Sequence, residues 1–283
     1  MERDRYVISA KEVEPLLDEN TICVGVILGT TFTGQYDDIE GINELLVKIK
    51  NDKGWDIPIH VDAANGGFIA PFVYPEVKWD FRLQQVKSIN VSGHKYGLVY
   101  PGLGWLVFRE EKDIPKDIVF TVNYLGGEMP TYTLNFSRGG ATVIAQYYNF
   151  LRLGRAGYTR IMTNVVANAQ HLTQKMTENG HFDLLNKSQM LPVVAFKLKD
   201  KVIFDLYDLS DKLRQRGWII PAYSLPKNAQ DIVVMRVVVK ENFSRDMIDI
   251  LYTDIVAAYK ELQSEGKKSA PRPTGGDKKH RIC

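Results

Sequence analysis

Lys95 sits in Ser88-Ile-Asn-Val-Ser-Gly-His-Lys-Tyr-Gly97, where a short apolar run gives way to a glycine and then a basic pair. Such a run reads as a strand that delivers its last residues to a loop. A lysine at that edge loses hydration on the protein side, which lowers its pKa and frees the amine for Schiff-base chemistry. A second apolar run, in Ile57-Pro-Ile-His-Val-Asp-Ala-Ala-Asn-Gly-Gly-Phe68, ends on the carboxylate Asp62 and a series of small residues. In parallel α/β sheets ligands bind beyond the carboxyl ends of the strands, so both residues point to one crevice. An amine facing a carboxylate across a pocket suits pyridoxal phosphate. The lysine would hold the aldehyde, and Asp62 would keep the ring nitrogen protonated. Ala63, Ala64 and Gly66-Gly67 leave room for a flat ring. A salt-bridged aspartate and an unrelated lysine are the plain alternative.

These residues need a framework, and the composition allows one. The chain has 283 residues, 45% of them apolar, enough for one substantial core or for a large and a small domain. No stretch approaches the length of a membrane span, and the charged start is no signal peptide. Cys23, read as lying inside an apolar strand, and Cys283 suggest no disulfide framework, so a reducing cytoplasm is the expected home. The net charge of +2 hides a split: residues 263–283 hold six Lys/Arg against two Asp/Glu. The remaining body is therefore slightly acidic, unlike a nucleic-acid-binding surface.

Taken along the chain, Lys11 to Glu19 reads as a short helix and Thr21 to Leu28 as a buried strand. A hydroxyl-rich loop, Gly29-Thr-Thr-Phe-Thr-Gly34, follows beside the crevice. Asp37 to Asn51 is amphipathic, with Ile39, Ile42, Leu45, Leu46 and Ile49 on one side. With the strand at Ile57–Val61 this makes a βαβ unit and a parallel sheet. Pro101 to Arg109 is a glycine turn and a strand; no helix opens after Gly102 and Gly104, so they form no nucleotide fingerprint. Two helices from Ala141 to about Asn179, broken near Gly154 to Gly157, carry the chain onward. Strands at Leu191–Leu198 and Gln230–Val239 alternate with helices at Asp205–Arg216 and from Ser244, a capping residue, to Leu262. Arg236 lies in an otherwise apolar strand, where an unpaired guanidinium is costly to bury. A carboxylate would satisfy it, or it snorkels at an edge. His60 and Asp62 share a strand face, but two ligands without a third do not make a metal site.

Four strings closely resemble glutamate decarboxylases of the plant and bacterial type, within the group II pyridoxal-phosphate decarboxylases. They are His60-Val-Asp-Ala-Ala-Asn-Gly-Gly-Phe-Ile-Ala-Pro-Phe72, Val91-Ser-Gly-His-Lys-Tyr-Gly97, Asn135-Phe-Ser-Arg138 and Val143-Ile-Ala-Gln-Tyr-Tyr-Asn-Phe-Leu-Arg-Leu-Gly154. The resemblance runs in order from about Asn20 to about Leu262. It implies an α/β protein of fold type I, with part of a large, mainly parallel-sheet domain and a small C-terminal α/β domain. It also implies a cytoplasmic enzyme that converts L-glutamate to 4-aminobutanoate and carbon dioxide. By resemblance Lys95 holds the cofactor covalently and Asp62 partners its ring nitrogen. Thr31 bonds the ring hydroxyl, Ala64 and Ser92 lie in the cofactor site, His94 helps hold the phosphate, and Arg236 binds the substrate α-carboxylate. The stretch Phe120 to Glu128 resembles a loop that closes over substrate, with Tyr124 and Leu125 at its tip and hinge freedom from Gly126-Gly127. Ser137 matches a residue that reaches a neighbouring subunit's phosphate, which implies a homodimer or a higher homo-oligomer.

The chain also departs from that pattern. Family members place phosphate-binding serines, a ring-stacking residue and the distal-carboxylate groups ahead of the strand at Thr21, where only about twenty residues stand here. Ile27 replaces a threonine of bacterial members, removing one phosphate contact. The expectation is a truncated chain: residues 1–165 from a cofactor-binding large domain, 166–262 a small domain, 263–283 a disordered basic tail. A non-catalytic subunit that pairs with full-length copies is the alternative to an active enzyme. Aromatic and aspartate decarboxylases are disfavoured, because they tend to carry Asn/Asp-Pro-His-Lys where Ser92-Gly-His-Lys95 stands. Plant relatives end in a calmodulin-binding segment, but this tail has no tryptophan and is broken by Pro271 and Pro273. Calmodulin binding is therefore not expected.

Overall fold

The computed structural model describes residues 1, 4–123, 126–131, 138–186 and 190–265. The first helix, α1 (Ala10–Val13), passes at Pro15 into a 3₁₀ turn, so it is shorter than its polar sequence suggests. Strand β1 (Val24–Ile27) leads to α2 (Ile39–Lys53), capped by the Asp38 carboxylate on Gly41 N–H and ended by Gly54 in the left-handed conformation. Then come β2 (Ile59–Asp62), the short α3 (Ala70–Val73), β3 (Val86–Ser92) and β4 (Gly104–Phe108). β1, β2 and β3 are parallel neighbours, and β4 closes the sheet antiparallel to β3. The expected βαβ unit is thus present, with Ile42, Leu46, Ile59, Val61 and Val86 in its core.

The β1 strand differs from the expectation. In place of the expected buried strand, its burial alternates: Val24 and Val26 are covered while Gly25 and Ile27 face outward. Cys23 lies just before the strand and is exposed. Parallel sheets are ordinarily covered on both faces. Here α2 and its neighbours pack on one face alone, and β1 is the sheet's edge. Part of that edge is closed by Asp37, whose carboxylate accepts from Ile27 N–H at 2.7 Å and Ile8 N–H at 3.0 Å. Burial outweighs these two bonds and holds the Asp37 carboxyl above the usual carboxylate range. Asp37→Ala would orphan both amides, and we expect it to cost about 1–3 kcal/mol. Urea unfolding measures this; an unchanged midpoint at constant slope would remove Asp37 from the edge's support.

Strands β5 (Phe120–Val122) and β6 (Met129–Thr131) pair as arms of a hairpin. The loop tip at Tyr124 and Leu125, and Ser137, lie outside the described residues, as do residues 266–283 of the tail. Helix α4 (Ala141–Glu178) spans both expected helices, and its kink is at Gly154, whose φ of 56° with ψ of −170° only glycine adopts readily. The expected boundary at residue 165 falls within this helix. Beyond it, β7 (Phe182–Leu184), β8 (Val193–Leu198), α5 (Leu206–Gln215), β9 (Ala222–Ser224), β10 (Val233–Val238) and α6 (Arg245–Glu265) complete the chain. The second sheet is antiparallel, ordered β7-β8-β10-β9, and packs on α4, α5 and α6 through Met162, Leu172, Phe196, Leu209, Met235 and Ile255. Ser244 caps α6 through its hydroxyl on Met247 N–H, and the helix runs into the first residues assigned to the tail. Among the described residues no helix is long and apolar enough to cross a membrane.

Candidate active site

The C-terminal ends of β1, β2 and β3 deliver Thr31, Asp62 and Lys95 to one edge of the first sheet, where parallel sheets bind ligands. The second sheet meets them there. Arg236 donates to the Thr31 carbonyl, Tyr223 OH to that of Phe32 at 2.8 Å, and Tyr96 OH to that of Val239 at 3.2 Å. Between the sheets lies a cleft of about 200 Å³ lined by Thr30, Thr31, Asn65, Lys95, Arg236 and Lys240, with apolar walls. It is smaller than the roughly 300–1,000 Å³ of ordinary cofactor sites. Its charged lining is entirely basic, which favours an anionic ligand.

Lys95 stands on the turn after β3, half-buried, with no hydrogen bond to its Nζ among the described residues. Burial holds its amine below the ordinary lysine range; the Arg236 charge adds to this and Asp62 opposes it. The turn is held from behind by α4. Gln146 and Tyr158 both donate to the Gly97 carbonyl, at 2.8 and 3.0 Å, and Asn149 donates to that of Leu98 at 2.8 Å. The packing is tight enough that a Cβ on Gly97 would lie 2.5 Å from the Gly93 carbonyl oxygen. Lys240 donates to the Lys95 carbonyl and lies 4.9 Å from the Tyr96 ring centroid. Burial, with the Lys95 charge, holds its own amine low as well. Neither the α4 clamp nor Lys240 was assigned a role from the sequence. The available signals were Gln146 and Asn149 inside a quoted family string, and a second cation four positions after Arg236.

Asp62 is half-buried, and its Oδ1 accepts from Ala64 N–H at 3.0 Å and Asn90 Nδ2 at 2.9 Å. Oδ2 has no hydrogen-bond partner among the described residues. Ala64 stands beside it, and Thr31 is exposed at the cleft's rim. Ser92 ends β3. His94 is exposed and lines a second, largely apolar cleft of about 890 Å³ with Lys95, Tyr100, Ile144 and Tyr148. The Arg236 guanidinium is anchored rather than snorkelling: it stacks 5.7 Å from the Tyr223 ring centroid as well as bonding Thr31, while its buried Nε lacks a partner. His60 is no metal ligand, since both ring nitrogens are hydrogen-bonded. No cluster of three metal-ligating side chains occurs among the described residues.

Residues 9–199 match the pyridoxal-dependent decarboxylase conserved domain, and the chain belongs to that family. Within the family its similarity is to glutamate decarboxylases. It is 51% identical over 263 residues to glutamate decarboxylase 5 of Arabidopsis thaliana, covering 93% of this chain and 53% of that one. It is 47% identical over 258 residues to the Aliivibrio fischeri enzyme, covering 90% and 56%. The solved Lactobacillus brevis glutamate decarboxylase superposes with a TM-score of 0.88 at 43% identity, over 93% of this chain and 60% of that one. The chain thus spans about half the length of the curated relatives it matches.

Proposed function

We propose that this chain is the lysine-bearing part of a pyridoxal-phosphate-dependent glutamate decarboxylase, producing 4-aminobutanoate and carbon dioxide from L-glutamate. The observation that carries the reading is the pairing of a half-buried amine at Lys95 with a carboxylate at Asp62, neither Nζ nor Oδ2 being hydrogen-bonded among the described residues, at neighbouring ends of one parallel sheet. The residues present fit the cofactor. Lys95 would hold its aldehyde carbon, Asp62 its ring nitrogen and Thr31 its ring hydroxyl. Ala64 would leave space for the ring, and Ser92 and His94 would help hold the phosphate. When bound, pyridoxal phosphate supplies an electron sink for the pair released with carbon dioxide.

The chain's own residues do the rest. Arg236, held by Thr31 and Tyr223, orients the substrate's α-carboxylate through its remaining donors. Tyr124 and Leu125 would cover the site and exclude water. Residues 1–165 then form part of the cofactor domain and 166–262 the small domain, the junction lying within α4, with 263–283, whose first three residues close α6, as a tail without calmodulin binding. We place the protein in the cytoplasm, without nucleic-acid or membrane partners.

A homo-oligomer, with Ser137 reaching a neighbour's phosphate, accords with the surface of α4. Ile144, Tyr147, Tyr148 and Leu151, at helical spacing along one stripe, are 69%, 62%, 61% and 69% exposed. A second reading, a non-catalytic subunit that pairs with full-length copies, is favoured by the bare face of β1 and the small cleft. One assay separates them. The purified chain with pyridoxal phosphate is given L-glutamate, L-aspartate or L-tryptophan, and amine product is measured. Selective 4-aminobutanoate formation is expected. Cofactor binding without turnover on any of the three would establish the second reading, and preference for another amino acid would overturn the substrate.

A further inference from the structure

Behind Asp62 runs a hydrogen-bonded chain across two strands. In the register of β2 and β3, His60 lies beside Ser88 and Asp62 beside Asn90, so all four side chains share one face. Asn90 Nδ2 lies 2.9 Å from Asp62 Oδ1, His60 Nε2 lies 2.9 Å from Asn90 Oδ1, and Ser88 Oγ lies 2.7 Å from His60 Nδ1.

The ends of this chain decide its direction. An ionised carboxylate only accepts, so Asn90 must turn its NH₂ toward Asp62 and its carbonyl oxygen toward His60. That oxygen also only accepts, so His60 must carry its proton on Nε2. The Nδ1 lone pair then accepts from the Ser88 hydroxyl. Every proton points toward Asp62, an arrangement in which successive bonds polarise one another. With the Ala64 amide, Asn90 places two donors on Oδ1. Oδ2 remains as the oxygen free to meet another N–H.

We propose that Asn90 and His60, backed by Ser88, are positioning residues for Asp62, locking its carboxylate so that Oδ2 is presented to the cofactor's ring nitrogen. The inference rests on the reading of the site as a pyridoxal-phosphate site. Asn90 acts directly on the carboxylate. His60 acts through Asn90 by fixing which way its amide faces. This accounts for the polar file on one face of β2 and β3, and for a histidine that does not line the cleft.

Two measurements test it. Nitrogen-15 NMR of the cofactor-free protein, with the His60 signal assigned by its loss in His60→Gln, should show the Nε2–H tautomer at pH 8. The Nδ1–H tautomer there would overturn the proposed direction whether or not cofactor binds. The second measurement follows ring-nitrogen protonation of nitrogen-15-labelled pyridoxal phosphate bound to the protein. In Asn90→Leu the pH at which the ring loses its proton should fall by about one unit, a tenfold change in that equilibrium. His60→Leu should move it less in the same direction. His60→Gln should restore it, because the glutamine amide can donate to Asn90 in place of Nε2. An unchanged ring titration in a folded Asn90→Leu protein would overturn the positioning role. Failure of the parent protein to bind pyridoxal phosphate would instead sink the cofactor reading, while the tautomer result would still stand by itself.

Discussion

Lys95→Ala should abolish covalent attachment of pyridoxal phosphate: borohydride treatment is expected to fix about one label per parent chain and only background on the variant. The expectation rests on where this lysine sits. Most lysines of the chain are solvated, and a solvated ammonium near neutrality offers little free amine. Lys95 is half-buried on a turn braced by Gln146, Asn149 and Tyr158, and burial holds its amine below the ordinary lysine range. The sign of the pH dependence follows. Free amine accumulates as pH rises through that lowered value, so labelling of Lys95 should approach its plateau at lower pH than labelling of exposed lysines. Arg236 contributes to the depression, and Arg236→Gln should therefore move the labelling curve toward higher pH. Mass spectrometry of the reduced, digested protein locates the label. Stoichiometric labelling of the alanine variant at another lysine would end the assignment.

Asp62→Asn should separate attachment from turnover. Its carboxylate raises the Lys95 pKa, so neutralising it lowers that value further and leaves more free amine at neutral pH. Labelling of the variant should be as fast as that of the parent, or faster. Decarboxylation should nonetheless fall by on the order of a hundredfold or more, since the charge that would keep the ring nitrogen protonated is gone. Attachment is kept while turnover is lost, a separation that a merely misfolded variant would not show. The activity arm is read in whichever assembly decarboxylates L-glutamate, the chain alone or paired with longer copies. Activity within about threefold of the parent would count against the assigned role, on the scale by which lost transition-state stabilisation is read from rates.

Much of this site was legible in the sequence because its signals are local. Asp62 and Lys95 close apolar runs, and a run that ends on small residues announces a strand end at a sheet's carboxyl edge. The cap at Ser244 and the stripe of Ile39, Ile42, Leu46 and Ile49 are likewise short-range, depending on helical geometry that a few consecutive residues express. The break at Gly154 is local too, a residue free to take a conformation that side chains resist. What the tertiary structure decided lies between segments distant in the chain. Arg236 reaches Thr31, and Lys240 reaches the Lys95 carbonyl, only because the second sheet docks against the strand ends of the first. His60 carried no assigned role in the sequence; strand register sets it between Ser88 and Asn90, and register is a relation between strands that neither carries alone. The apolar run through Cys23 and Ile27 suggested burial on both sides. Burial depends on what packs against a face, and here one face of β1 is covered while the other is open.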